Sequence, residues 1–311
     1  MDKIKKYLET TPYKSYELTV ASADASFRKY YRLTQDDKKV LLMDSSLELA
    51  SLKPFIDITT RLKNAAVRVP TILEKNLEDG FLIIEDFGST HYLDILDDEN
   101  YQELYKYAID EIIKIQESST TNLPLYDEAF LHFEMDFMQE WYLTGLLKKS
   151  LSISQTLVLE NTLETISEIV LSQPQGIFVH RDYHSRNIMQ LEDKSIGVID
   201  YQDAMNGAIT YDLVSLLKDC YIEFDETHIR ELALYFRDKK ELKVSDEEFI
   251  KWFDFMGLQR HIKVLGIFSR LYLRDGKKDY LRDIPLVLKY VFDTSLKYKE
   301  TREFATFLKE L

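Results

Sequence analysis

One cysteine, nine glycines and six prolines in 311 residues leave little room for several architectures. A lone Cys220 excludes an intramolecular disulfide and suits a reducing compartment. Its setting, Leu216-Leu217-Lys218-Asp219-Cys220-Tyr221, reads as the inner face of a helix, so the thiol is expected to be a small buried hydrophobe. Sparse Gly and Pro leave no flexible linker or low-complexity tract, and there is no internal repeat. No apolar run is long enough to span a bilayer, and Met1-Asp2-Lys3-Ile4-Lys5-Lys6 lacks the apolar core of a signal peptide. The expectation is a cytoplasmic protein without a membrane partner. Basic residues are outnumbered 54 to 40, a net charge of −14 that opposes wrapping nucleic acid. Local anion binding remains open, because a few arginines and backbone N–H groups suffice for it.

With 45% hydrophobic residues the chain can bury a sizeable core. Period-two alternation marks strands at 16–20 and 27–33, a polar turn lies at 35–38, and Val40-Leu41-Leu42-Met43 reads as a third strand. Residues 47–64 regain helical spacing, with Leu49, Leu52, Ile56 and Leu62 inward. A hairpin follows at 71–74 and 81–84. From about residue 99 the period is helical: long helices at 99–117, 129–149 and 153–172, then four more from 211 onward. Short apolar strands at 176–179 and 196–199 interrupt the helices. The fold class is therefore α+β, with a small antiparallel N-lobe (1–88) and a mainly helical C-lobe (89–311).

Chemistry concentrates where those short strands end. His180-Arg181-Asp182-Tyr183-His184-Ser185-Arg186-Asn187 matches H-R-D-x-x-x-x-N, the catalytic loop of kinases. Asp182 can accept the proton of an attacking hydroxyl, and Asn187 can bind Mg²⁺ through its amide oxygen. Asp200 follows the apolar run 196–199 and supplies a second hard oxygen ligand. A lone loop Asp usually only caps a turn; two with Asn187 between them make a metal and catalytic set. Asp-Phe-Gly is replaced by Asp200-Tyr201-Gln202.

The loop, together with 197–204 and 211–219, resembles the aminoglycoside phosphotransferase (choline kinase-like) superfamily. More narrowly, these segments and 21–30 and 258–268 resemble bacterial anomeric sugar kinases of N-acetylmuramate and N-acetylglucosamine. That likeness implies a bilobal protein-kinase-like fold, ATP and Mg²⁺ as cofactors bound in the cleft, and phosphoryl transfer to an amino sugar's 1-hydroxyl in peptidoglycan recycling. It also implies that Asp212 accepts hydrogen bonds from the catalytic-loop backbone. The protein is expected to be a monomer. Other acceptors on the same fold (aminoglycoside, choline, homoserine) and a silent nucleotide-binding protein are the competing readings.

Around this set, the small-residue turn at 21–28 offers Ser22, Ala23, Asp24 and Ser26 to phosphate. The third strand lacks the customary Lys, and Lys38 and Lys39 fall in the turn. Arg28, or else Arg32, is expected to supply that charge. Glu85 and Phe87 mark the hinge that meets adenine. His184, Arg186, Gln202 and Asp203 are candidate acceptor contacts, and Arg186 could also pair with a lactyl carboxylate. Glu140, Trp141 and Arg260 recur in the sugar-kinase likeness and are candidate substrate residues. The bland alternative places the first two on a core helix and Arg260 with His261 on a surface helix.

Overall fold

The structure, a computed structural model, describes residues 1–22 and 28–311, the side chain of Ser22 excepted. Two compact units are present: Met1–Tyr92 with Arg186–Asp203, and Leu93–Ser185 with Ala204–Leu311.

The first unit is built on a five-stranded antiparallel sheet of order β1-β2-β3-β5-β4. Its strands are β1 Glu17–Ser22, β2 Lys29–Gln35, β3 Lys38–Asp44, β4 Ile72–Asn76 and β5 Phe81–Glu85. Gln35 pairs with Lys38, so the polar turn is a two-residue hairpin, and Asp36 takes the left-handed backbone (φ 52°) that it requires. Leu33, Val40, Leu42, Phe81 and Ile83 share one face, and onto it pack Ile4, Tyr7 and Leu8 of helix α1, Asp2–Leu8. Tyr7 stacks on Phe81 at 5.5 Å. Helix α1 was not legible in the sequence.

Residues 49–51 form a 3₁₀ turn before helix α2, Leu52–Asn64, which buries Leu52, Phe55, Ile58, Thr59 and Leu62. Two expected inward positions are corrected. Leu49 is 47% exposed because it precedes the α-helix, and Ile56 lies off the buried face set by Phe55 and Ile58.

A further hairpin belongs to this unit, β7 Ile188–Gln190 with β8 Ile196–Val198. The sequence marks only its second strand, at 196–199, and within the helical span 89–311. It is tied to the first unit by the His91–Met189 bridge and by hydrogen bonds from Val198 N to Arg68 O and from Gln190 N to Thr90 O, each 2.9 Å.

The second unit is helical: α3 Tyr92–Ile95 at the junction, α4 Tyr101–Ile115, α5 Glu128–Phe137, α6 Ile153–Ser172, α7 Tyr211–Leu217, α8 Glu226–Lys239, α9 Asp246–Asp275, α10 Ile284–Lys297 and α11 Arg302–Leu308. Five α-helices thus follow residue 211 in place of four. The expected helix 129–149 changes character, since α5 passes into a π-helical segment, Met138–Leu146, closed by Leu147 N to Tyr142 O. A short ladder joins β6 Ile177–Val179 to β9 Met205–Gly207.

Helix α9 is the axis of this unit and is buried on all sides from Phe253 to Gly266. A Cβ on Gly266 would sit 2.2 Å from the Phe137 backbone carbon, so only glycine lets α9 lie against the end of α5. Among the described residues no helix is long and apolar enough to cross a membrane.

Candidate active site

In the second unit, residues 180–185 leave β6 as a loop whose backbone is pinned by two buried carboxylates. Asp212, on α7, accepts from His180 N (2.8 Å) and Arg181 N (3.0 Å). Asp219 accepts from Ser185 N (2.9 Å) and Tyr221 N (3.0 Å). Tyr183 is fully buried and donates to the carbonyl of Ala108 at 3.0 Å. These bonds hold Arg181 at φ 78°, a costly conformation for a side chain of that size. Burial raises the pKa of Asp212, and the two N–H donors with nearby His180 offset part of that penalty.

Asp182 projects from this loop, half-buried. Burial disfavours its charge, yet Lys263, His184, Arg181 and Arg260 together bring its pKa below the ordinary carboxylate value. It is therefore an anion at neutral pH. Behind it stands a buried polar network that the sequence reading missed. Glu134 of α5 pairs with Arg181 and, at 3.1 Å, with Lys263 of α9. Lys263 also donates to the Tyr211 hydroxyl (2.9 Å), and Tyr126 donates to Glu134. Only one signal pointed there, a Glu and a Lys set among apolar residues of two long helices.

Arg260 and His261 are buried, at 4% and 2% exposure, which overturns the surface-helix alternative. Arg260 donates to Cys220 Sγ at 3.2 Å. Cys220 is buried as expected, although it lies in the bend after α7 and not on a helix. His184 is nine-tenths buried, edge-on to Tyr221, and its Nδ1 has no hydrogen-bond partner. Burial pushes its pKa down to about 4, so the imidazole is neutral. Glu140 and Trp141 lie in the π-helical segment, the first exposed and the second half-buried.

In the first unit, the β7–β8 hairpin brings the two expected metal ligands together. Ile188 pairs with Val198, Ile199 N donates to Asn187 O (3.1 Å), and Asn187 Nδ2 reaches Asp200 Oδ2 at 3.4 Å. Asp200 adopts φ 61°, which Asp tolerates better than most residues. Gln202 donates to Asp200 Oδ1 (2.9 Å) and Asp203 Oδ2 (3.1 Å). Tyr201 turns the other way, stacked on Phe55 and hydrogen-bonded to Thr59 at 2.9 Å. An exposed carboxylate and a carboxamide side chain meeting at one hairpin end would suit Mg²⁺, which takes hard oxygen donors such as these with phosphate oxygens and water.

Arg28 is buried, bonded to Ser51 ahead of α2, and lies near enough to Tyr201 to act on its hydroxyl electrostatically. Arg32 is otherwise engaged, its guanidinium forked onto Asp86. Lys38 and Lys39 open β3 instead of lying in the turn, and both are exposed. Ala23, Asp24 and Ser26 lie outside the described residues, as does the Ser22 side chain. The Glu85 carboxylate is taken by Arg68 and by Thr71 N, and the Phe87 ring packs on Gly197 beneath Arg68. Arg186 is exposed, and its carbonyl meets His91 at 2.6 Å.

Known proteins place this geometry. The phosphotransferase enzyme family (APH) matches residues 17–244. An N-acetylmuramate/N-acetylglucosamine kinase of Neisseria meningitidis serogroup B is 36% identical over 99% of this chain and 95% of its own. A kinase of the same name from Pseudomonas aeruginosa is 37% identical over 95% and 88%. Among solved structures, an ADP-bound aminoglycoside phosphotransferase superposes with a TM-score of 0.64 at 14% identity, covering 93% of this chain and 97% of that one. An ethanolamine kinase of Plasmodium vivax gives 0.67 at 12% identity, covering 96% and 87%. Both share the protein-kinase-like fold expected from the catalytic loop. The chain belongs to the phosphotransferase enzyme family and is an ATP-dependent phosphotransferase with a hydroxyl acceptor.

Proposed function

We propose that the protein phosphorylates N-acetylmuramate, N-acetylglucosamine or both at the anomeric 1-hydroxyl, in the recycling of peptidoglycan amino sugars. The observation that carries this reading is the likeness, over nearly the whole chain, to two kinases named for those sugars. The surroundings of Asp182 favour it over a polycationic acceptor. Arg181, Arg260 and Lys263 crowd that carboxylate, whereas an aminoglycoside site would call for further carboxylates.

In this mechanism Asp182 orients the acceptor hydroxyl and takes its proton, helped by the acidity of an anomeric hydroxyl. Asn187 and Asp200 would hold Mg²⁺ on the phosphate oxygens. When bound, the ion neutralises charge on the transferring phosphoryl group. Arg28, with Ser22, Ala23, Asp24 and Ser26, would meet the phosphates, and the backbone at Glu85 and Phe87 the adenine edge. His184, Arg186, Gln202 and Asp203 would contact the sugar, with Glu140, Trp141 and Arg260 completing the acceptor side. Positioning and charge neutralisation supply most of the acceleration, because the transition state is loose. We further propose a cytoplasmic monomer.

A coupled ADP-release assay over N-acetylmuramate, N-acetylglucosamine, aminoglycosides, choline and homoserine tests the reading, with ³¹P NMR to locate the phosphate. Turnover confined to the amino sugars with a 1-phosphate product is expected. ADP release with none of the panel would favour a silent nucleotide-binding protein, and chelation of Mg²⁺ should abolish turnover.

A further inference from the structure

Arg270 differs from the arginines around it. On α9 it is half-buried, and among the described residues no carboxylate is paired with it. Its Nε is buried with no hydrogen-bond partner. Neighbouring Arg274 is bound to Asp275, Arg181 to Glu134, and Arg260 to Cys220. The Arg270 guanidinium lies over the Phe137 ring at 5.0 Å, which fixes its plane while leaving its fork unused.

Its position relates it to the catalytic loop within the same unit. Phe130, Phe133 and Phe137 form a ladder along one face of α5, with ring centroids 5.9 and 5.1 Å apart. Arg181, next to Asp182, covers the Phe130 end at 5.5 Å, and Arg270 covers the Phe137 end. The middle ring, Phe133, is 55% exposed. On α9, Arg270 follows Lys263 by seven residues, so the two share a face and stand ~10 Å apart along the axis. An aromatic strip whose middle ring is open to solvent therefore runs from the loop of Asp182 to a guanidinium that has no ion-pair partner among the described residues.

We infer that Arg270 binds the carboxylate of the acceptor sugar, the lactyl group that separates N-acetylmuramate from N-acetylglucosamine, while the sugar's apolar face lies along Phe133. The inference rests on the amino-sugar reading above. A carboxylate would accept two hydrogen bonds from the fork and compensate a cation that burial and Arg274 both disfavour. Glu140 and Asp275 also face Arg270 electrostatically, but neither forms an ion pair with it. Arg186, the candidate from the catalytic loop, is exposed and would be screened by solvent.

The test measures kcat/KM for N-acetylmuramate, its lactyl methyl ester and N-acetylglucosamine in the parent and in Arg270→Met, Arg270→Lys and Arg186→Met. The acid-to-neutral ratio should fall about 10- to 100-fold in Arg270→Met, chiefly through KM, as for loss of a charge-assisted bidentate pair. Arg270→Lys should restore part of it. The parent should prefer the acid to its ester, a comparison that needs no folded variant. A ratio within twofold of the parent's, equal treatment of acid and ester, or a fall seen only in Arg186→Met overturns the assignment and leaves the amino-sugar reading intact. A parent that turns over neither sugar overturns both.

Discussion

The ring of Phe87 occupies the space where Gly197 would carry a side chain: a Cβ built there meets Phe87 Cδ2 at 2.6 Å and Cε2 at 2.7 Å. Phe87 follows β5, and Gly197 sits in the middle of β8, two residues before Ile199 and three before Asp200. The hairpin that carries the proposed metal ligands is thus seated on the segment after β5 by an aromatic contact that tolerates no methyl group, beside the backbone bonds to residues 90 and 91.

Gly197→Ala should consequently displace the hairpin. Overpacking of this kind costs about 1–3 kcal/mol. A lower urea midpoint with a weaker affinity for Mg-ATP is expected. A variant with parental stability and parental nucleotide affinity would contradict this seating.

Asp182→Asn keeps the shape of the side chain and removes the base. A loss of about 10²–10⁴ in kcat is expected, with nucleotide affinity retained. Single-turnover rates beside nucleotide titrations check it, and near-parental turnover would refute the assignment.

Two buried histidines set a pH limit on stability. His184 and His261 are held neutral by burial, with pKa values near 4 and 3 against about 6.5 in the unfolded chain. Because the folded values are depressed, the unfolded state binds protons first as pH falls. Their contribution is fully present above about pH 6.5 and is lost towards pH 4, by up to about 1.4 kcal/mol per pH unit for each ring. Urea midpoints between pH 7.5 and 4.5 should fall less steeply in His261→Gln than in the parent, and equal slopes would remove His261 from the account.

Cys220 should resist thiol reagents in the folded protein. Burial raises its pKa to about 11, although Arg260 opposes the shift, so little thiolate forms near neutral pH. No labelling is expected in buffer, and one equivalent after denaturation in guanidinium. Rapid labelling of the folded chain would place the thiol at the surface.

Much of this was legible in the sequence because it is local. Alternating apolar residues marked β1 and β2, and the unbroken runs 40–43 and 81–84 marked β3 and β5, the latter buried on both faces. The spacing of Asp182, Asn187 and Asp200 singled out three residues of which the last two lie side by side, and Asp212 holds the loop backbone as the resemblance implied. What stayed hidden depends on distant packing. A seven-residue helix such as α1 has no period long enough to read, and its apolar residues gain meaning only against Phe81 and Leu42. The close approach at Phe137, where the π-helical segment begins, uses Gly266 from a helix more than a hundred residues on. Arg260, His261 and Lys263 look like surface charge until Cys220, the Lys218 carbonyl and Glu134 are brought to them.

Tyr201 carries a last consequence. Its ring is stacked on Phe55 and its hydroxyl is bonded to Thr59, so both its face and its tip are fastened to α2. Asp200, one residue earlier, cannot turn away without tearing off a stack and a hydrogen bond in the same movement. The carboxylate proposed for the metal is therefore latched through its neighbour, and any rearrangement at Asp200 carries the cost of unseating Tyr201 from α2.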